Sequence, residues 1–341
     1  MIFRLGELFC GAGGMALGAI SARIDDPDFR IVHAWANDID SDACSTYVNN
    51  ICPDDPESVI CMDVKDLDID SLGDIDGFAF GFPCNDFSLL GEKNGISGKY
   101  GGLYSYGIKV LKTHQPMWFV AENVNGLKSA DGGLTFEIIK KDMINAGYRI
   151  YPHLYKAEQY GIPQTRHRII VVGIRNDLSY KFELPKTDPY AECDISSGSA
   201  LENPPIPADA PNNDYTKQSK KTTERLQHIR PGENIFTADL PDHLKMNVKN
   251  ARISQLYKKL DPTKPAYTVI GSGGGGMKMY HYAENRCLTN RERARLQTFP
   301  DDFVFSGNNA SVRKQIGMAV PPKLSQIIFE SVLCAFAKTG Y

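Results

Sequence analysis

Short apolar runs alternate with amphipathic stretches through the first half of this chain, and that alternation decides its class. The runs at 5–9, 31–36, 58–61, 77–81, 117–122, 149–155 and 168–174 have the length and make-up of buried strands. At 14–23, 41–50, 103–113 and 135–146 the pattern is helical instead. Strands separated by helices build parallel βαβ units, so the pattern predicts an α/β fold with a doubly wound sheet. Ligands bind such sheets outside the carboxyl ends of the strands. The residues that follow each run therefore carry most of the functional information.

After Leu184 the periodicity fades and prolines gather at Pro185, Pro189, Pro204, Pro205, Pro207 and Pro211. This texture predicts a linker into a second, less regular domain. Regular pattern returns at 289–298, a helix start, and at 322–338, an amphipathic C-terminal helix. The expected division is 1–184 with 315–341 in one domain and 185–314 in the other.

Composition adds little: 341 residues, 42% hydrophobic and 23% charged, describe an ordinary globular protein with room for one large domain or two modest ones. The eight cysteines form no CxxC pair, which argues for reduced thiols and against a disulfide framework or a zinc site. No apolar run is long enough to span a membrane, and the N-terminus runs straight into a strand without a signal peptide. A cytoplasmic protein is expected. Charge changes the picture more. The net charge is −3, yet residues 215–314 hold 18 Lys and Arg against nine Asp and Glu. A basic segment on an acidic protein points to a polyanion partner at that segment, with a solvated face as the plainer alternative.

Five strand ends carry chemistry. Phe9-Cys10-Gly11-Ala12-Gly13-Gly14 closes the first run and opens the first helix, where glycines let the backbone turn tightly and approach a ligand. The second run ends at Asn37-Asp38-Ile39-Asp40, and a carboxylate there accepts hydrogen bonds from a ribose. Dinucleotides and S-adenosylmethionine are both held in this way. The dinucleotide fingerprint fits poorly, because Ala16 stands where its last glycine belongs. Asp63, after the third run, is placed to meet an adenine amino group. The fourth run leads into Gly81-Phe82-Pro83-Cys84-Asn85-Asp86-Phe87-Ser88. A cysteine behind a proline at a strand end is positioned to attack, although a buried structural cysteine is common. Residues 89–102, with five glycines, read as a lid. Glu122-Asn123-Val124 closes the next run, as a solvent-facing strand end or as a general acid made less acidic by burial. In Gln164-Thr165-Arg166-His167-Arg168, alternation puts Gln164, Arg166 and Arg168 on one side, suited to an anion, a base edge or the acid itself. His167 faces the other way and reads as structural.

In this order the stretches resemble the DNA (cytosine-5-)-methyltransferase family of the bacterial and phage restriction-modification type. Residues 9–14 resemble its cofactor loop and Gly81-Phe82-Pro83-Cys84 its nucleophile loop. Glu122-Asn123-Val124 resembles its acidic motif and Gln164-x-Arg166-x-Arg168 its arginine motif. Arg291-Glu292-Arg293-Ala294-Arg295-Leu296-Gln297 with Phe299-Pro300-Asp301 is similar to the motif supporting the target-recognition region. Gly317-Met318-Ala319-Val320-Pro321 is similar to the closing motif of the cofactor pocket. The resemblance covers 1–180 and 286–341 and leaves the family's variable, target-reading region between them. Two positions depart from the family: Asn85 replaces a glutamine and Met318 an asparagine.

The resemblance implies a Rossmann-like, doubly wound mixed sheet with a smaller irregular target-recognition domain, and S-adenosylmethionine as cofactor. Phe9, Gly11, Ala12, Gly13, Gly14, Asp38, Ile39, Asp63, Val64, Pro83, Leu103, Ala319 and Val320 would hold it. Cys84 would add to carbon-6 of a flipped-out cytosine so that carbon-5 becomes nucleophilic. Glu122 would hydrogen-bond nitrogen-3, and Arg166 and Arg168 would orient Glu122 and hold the base oxygen. Ser88, Lys245, Lys249, Arg252, Lys258, Lys259 and Lys278 are candidate DNA contacts. The implied partner is double-stranded DNA, with no metal and no membrane. A monomer is expected, with a cognate restriction endonuclease encoded nearby. Other readings are a transfer-RNA cytosine methyltransferase of the same fold, whose Cys-Phe-Thr signature is absent here, a dinucleotide-dependent oxidoreductase, and an inactive DNA-binding relative. Retention of Cys84, Glu122, Arg166 and Arg168 opposes the last.

Overall fold

The computed structural model describes residues 1–82, 102–124, 126, 133–246, 254–271 and 275–337. Pro83, Cys84, Asn85, Ser88, all of the expected lid except Gly102, Lys249 and Arg252 lie outside the described residues. The chain divides into two compact units. The first holds residues 1–156, 167–187 and 320–341, and the second holds 157–166 and 188–319.

The first unit is built on a seven-stranded sheet. Its strands are β1 (Ile2–Leu8), β2 (Arg30–Asp38), β3 (Val59–Cys61), β4 (Gly77–Gly81), β5 (Trp118–Val124), β6 (Tyr148–Lys156) and β8 (His167–Arg175), in the spatial order β3-β2-β1-β4-β5-β8-β6. β1 to β5 are mutually parallel, and β8 runs antiparallel to both β5 and β6. The helices α1 (Gly14–Ser21), α2 (Ser41–Ile51), α3 (Tyr104–His114) and α4 (Leu134–Asn145) follow β1, β2, β4 and β5, and α9 (Pro322–Ala337) packs on α1. The doubly wound mixed sheet is thus present. Its core strands are buried along their length because layers cover both faces; Phe78, Phe80, Phe119, Ile169 and Val171 belong to one cluster.

Chain order reverses between β1 and β4. From β1 the chain winds outward to β2 and β3; from β4 it winds the other way to β5. A sheet with this topology opens a crevice at the carboxyl ends of the two central strands. The ends that meet there are residues 9–14 after β1 and Gly81-Phe82 after β4.

In the second unit, β7 (Gln164–Thr165) pairs parallel with β9 (Ala266–Tyr267), and the helices are α5 (Ser197–Glu202), α6 (Lys220–Gln227), α7 (Asn290–Leu296) and α8 (Asn309–Met318). α7 starts on a capping box between Thr289 and Glu292. A separate core gathers Leu226, Ile229, Ile235, Leu240, Leu244, Tyr257 and Tyr280.

Candidate active site

Glu122 lies near the end of β5 and is paired in register with Gly81 of β4 on one side and Ile170 of β8 on the other. It is buried, and its Oε1 receives a 2.8 Å ion pair from Arg168 Nε of β8, itself nearly buried. A charge-assisted bond in so dry a place fixes the carboxyl's direction. Gly81 is glycine for want of space: a Cβ there would stand 3.3 Å from Glu122 Oε2. Phe82, Ala121, Phe136, Ile139 and Met143 line a small cavity at Glu122.

Asn123, which the sequence analysis quoted without a role, ties this acid to the neighbouring strand end. Its Nδ2 donates to the Phe82 carbonyl at 2.9 Å, and its Oδ1 accepts from Val124 N at 2.8 Å. Phe82 is the last described residue before Pro83 and Cys84. The acid's own strand therefore grips the chain just ahead of the candidate nucleophile. A buried asparagine next to a buried acid was the available signal.

The two arginines of the arginine motif part company. Arg168 holds Glu122. Arg166, almost wholly buried, belongs to the second unit, where Nη1 donates to Val269 O at 3.1 Å and Nη2 to Gly317 O at 3.0 Å and Ala319 O at 2.8 Å. Gln164 is equally occupied: its amide donates to Leu296 O at 3.1 Å and Gln297 Oε1 at 2.8 Å and accepts from Val269 N at 2.8 Å. The alternation of the motif holds for Gln164 and Arg166, which are both buried while Thr165 between them is exposed.

At the other strand end, Phe9, Gly11 and Gly13 all have positive φ (55°, 51° and 84°), so the chain coils tightly before α1. Among the described residues, nothing stands within 4 Å of where a Gly11 side chain would begin. Its amide donates to Asp38 Oδ2 at 2.8 Å, and Asp38 Oδ1 accepts from Asp40 N at 3.0 Å. Burial pushes the Asp38 carboxyl up, and the Asp40 and Gly11 amides counter it. Each carboxylate oxygen keeps a lone pair for a ligand hydroxyl. Ile39 beside it is 67% exposed, an apolar side chain at a strand end with nothing to cover it. Asp63 is half-buried, and Ala12, Gly14, Val64, Leu103 and Val320 are buried. Ala319, half-buried, and the exposed Met318 end α8. A curled backbone with an open cradle, a half-buried carboxylate and an exposed apolar side chain together suit an adenosine group. S-adenosylmethionine therefore fits these residues.

Among the candidate DNA contacts, one is corrected. Lys259 is buried with its ammonium donating to Asn285 Oδ1 at 2.8 Å, so it is not a surface cation. Lys245 is exposed and pairs with Asp242 at 2.7 Å. Lys258 lies 5.2 Å over the Tyr267 ring, and Lys278 is half-buried.

The family model for C-5 cytosine-specific DNA methylases matches residues 3–334. Type II methyltransferase M.BbvI of Brevibacillus brevis is 53% identical over 100% of this chain and 93% of its own length. Type II methyltransferase M.NgoFVII of Neisseria gonorrhoeae is 36% identical over 97% and 86%. Among solved structures, a DNA modification methyltransferase encoded within an Escherichia coli prophage has a TM-score of 0.73 at 23% identity, covering 98% of this chain and 99% of that one. The Dnmt2 methyltransferase of S. pombe has a TM-score of 0.62 at 17% identity, covering 99% and 100%. These two structures share the fold.

Proposed function

The chain belongs to the C-5 cytosine-specific DNA methylase family and is a DNA cytosine-5-methyltransferase, and from that premise we propose that it methylates carbon-5 of a flipped-out cytosine in a specific duplex sequence. The observation that carries this reading is Glu122, buried, held by Arg168 at 2.8 Å, and set beside the strand end that leads into Pro83 and Cys84.

Phe9, Gly11, Gly13, Asp38, Ile39 and Asp63 would hold S-adenosylmethionine, with the remaining buried residues of its expected set shaping the pocket. Bound there, the sulfonium supplies an electrophilic methyl group. The chain's own residues do the rest. Carbon-5 of cytosine is a weak nucleophile until a thiolate adds at carbon-6, and Cys84 supplies that thiolate. Negative charge then builds on the ring. Glu122, carrying a proton on Oε2 while Arg168 holds Oε1, answers it by donating a hydrogen bond to nitrogen-3. Water takes the carbon-5 proton, the electron pair of that C–H bond re-forms the 5,6 double bond, and the carbon-6–sulfur bond breaks to release the Cys84 thiolate. Flipping the base costs a few kcal/mol, met by phosphate contacts and base-edge reading from the second unit. Lys245, Lys258 and Lys278 belong to that surface, and Ser88, Lys249 and Arg252 are assigned to it from the sequence. A monomer paired with a restriction endonuclease of the same specificity completes the proposal.

The test is transfer of tritium from methyl-labelled S-adenosylmethionine. Label on duplex DNA is expected, lost in Cys84→Ser, with bisulfite sequencing of plasmid from an expressing host locating the modified cytosine and its context. Label confined to transfer RNA, or retained in Cys84→Ser, overturns the proposal.

A further inference from the structure

Directly behind the glycine loop, on the central strand that feeds it, sits a carboxyl group with no solvent contact at all. Glu7 of β1 is 0% exposed. Its Oε2 lies 3.2 Å from the Tyr47 hydroxyl of α2, and its Oε1 has no hydrogen-bond partner. Tyr47 in turn floors the loop: a Cβ on Gly13 would stand 3.0 Å from its ring. From Tyr47 the contacts continue outward. His33 Nδ1 is 3.2 Å from the Tyr47 hydroxyl, His33 Nε2 is 2.8 Å from Ser58 Oγ, and Ser58 Oγ donates to Asp55 O at 2.6 Å.

The Tyr47 hydroxyl donates to Glu7 Oε2, while Oε1 has no partner. A carboxylate with no solvent exposure and a single neutral donor loses far more solvation than that bond returns, so the group is held as the neutral acid. Burial also lowers the His33 pKa, so the ring beyond Tyr47 is neutral.

We infer that Glu7 is a positioning residue for the cofactor loop, held beneath it as a neutral carboxylic acid that accepts a hydrogen bond from Tyr47. The inference rests on the proposed reading of that loop as the S-adenosylmethionine site. Burial, the largest cause, pushes the Glu7 carboxyl up to about 8, with the Tyr47 hydrogen bond opposing and the charge of Asp38 adding. The titratable groups facing it are Tyr47 from α2, Asp38 at the end of β2, and Cys10 just beyond β1; Cys52 faces Tyr47. A proton lost from Glu7 therefore leaves a buried charge beside Asp38, whose carboxylate holds Gly11. It also tightens the hydrogen bond from Tyr47, whose ring packs beneath Gly13. Both changes disturb the loop from below.

The experiment is calorimetric binding of S-adenosylhomocysteine between pH 6 and 9.5. Wild-type affinity is expected to fall about fivefold or more as pH rises through 8. Glu7→Gln, which keeps a neutral donor at the site, flattens the profile and controls for titration of the ligand. Tyr47→Phe removes a donor to the carboxylate and moves the fall to higher pH. Carbon-13 NMR of labelled glutamate reads the same group without ligand: one carboxyl, absent in Glu7→Gln, should titrate near pH 8. Failure to bind the ligand at any pH sinks the functional reading, while the NMR titration still decides Glu7. An equally steep profile in Glu7→Gln, or a Glu7 carboxyl that titrates below 6, overturns the inference.

Discussion

At the scale of single residues, the proposed chemistry depends on one carboxyl being aimed, and the ion pair with Arg168 holds it. The pair is buried on both sides, so removing one partner leaves a desolvated charge behind. Because Arg168 acts through Glu122, their substitutions should not add. Glu122→Gln is expected to lower kcat by about 10²- to 10³-fold, and Arg168→Gln by a similar factor. The double variant should then be no slower than the worse single one. Losses that multiply in the double variant would show that Arg168 acts on the substrate independently of Glu122. Gly81 tests the same aim sterically. Its missing Cβ would press within 3.3 Å of Glu122 Oε2, so Gly81→Ala should slow turnover by about tenfold with little loss of substrate affinity.

At the scale of elements, the arginine motif is one sequence serving two ends. β8 turns Arg168 toward β5, while Arg166, before it, bonds the carbonyls of Val269, Gly317 and Ala319. A lysine cannot make that fork. Arg166→Lys is expected to cost on the order of 3 kcal/mol of stability by orphaning buried carbonyls, read as a lower denaturation midpoint. Loss of turnover with wild-type melting would instead return Arg166 to the chemistry. The strands were legible because apolar runs of strand length mark buried sheet, and β4 spans 77–81 as its run predicts. That β8 runs against the other strands was not, since strand direction leaves no trace in periodicity. Helix α8 was missed because Asn309, Ser311, Arg313 and Lys314 mask its few buried positions, among them Val312 and Ile316. The alternation of Gln164 and Arg166 was visible in sequence, but their carbonyl partners, 100 and more residues away, were not.

At the scale of the whole molecule, the basic excess of residues 215–314 is smaller in effect than in number. Arg225 donates to Leu244 O and the Tyr257 hydroxyl, Arg291 to the Pro211, Pro300 and Phe303 carbonyls, and Arg293 is buried. Arg286 is committed to Glu284 and Glu292. These cations support the fold of the second unit and are not available to DNA. In a chain of net charge −3, attraction to a polyanion then depends on the lysines and arginines that stay at its surface, Lys217, Lys220, Lys221, Arg230 and Lys245 among them. Each lysine that meets a phosphate contributes nearly one unit to the slope of log affinity against log salt. Lys245→Ala and Lys278→Ala should therefore each lower that slope by about one on duplex DNA of unrelated sequence. The Lys245 pair with Asp242 is solvent-exposed and weak enough for a phosphate to replace it. Lys259→Gln should leave the slope unchanged, because its ammonium is spent on Asn285. Fluorescence anisotropy between 50 and 200 mM salt, roughly the range over which such contacts are lost, separates these outcomes. A slope that drops for Lys259→Gln but not for the two surface lysines would mean that the second unit meets DNA through a different face.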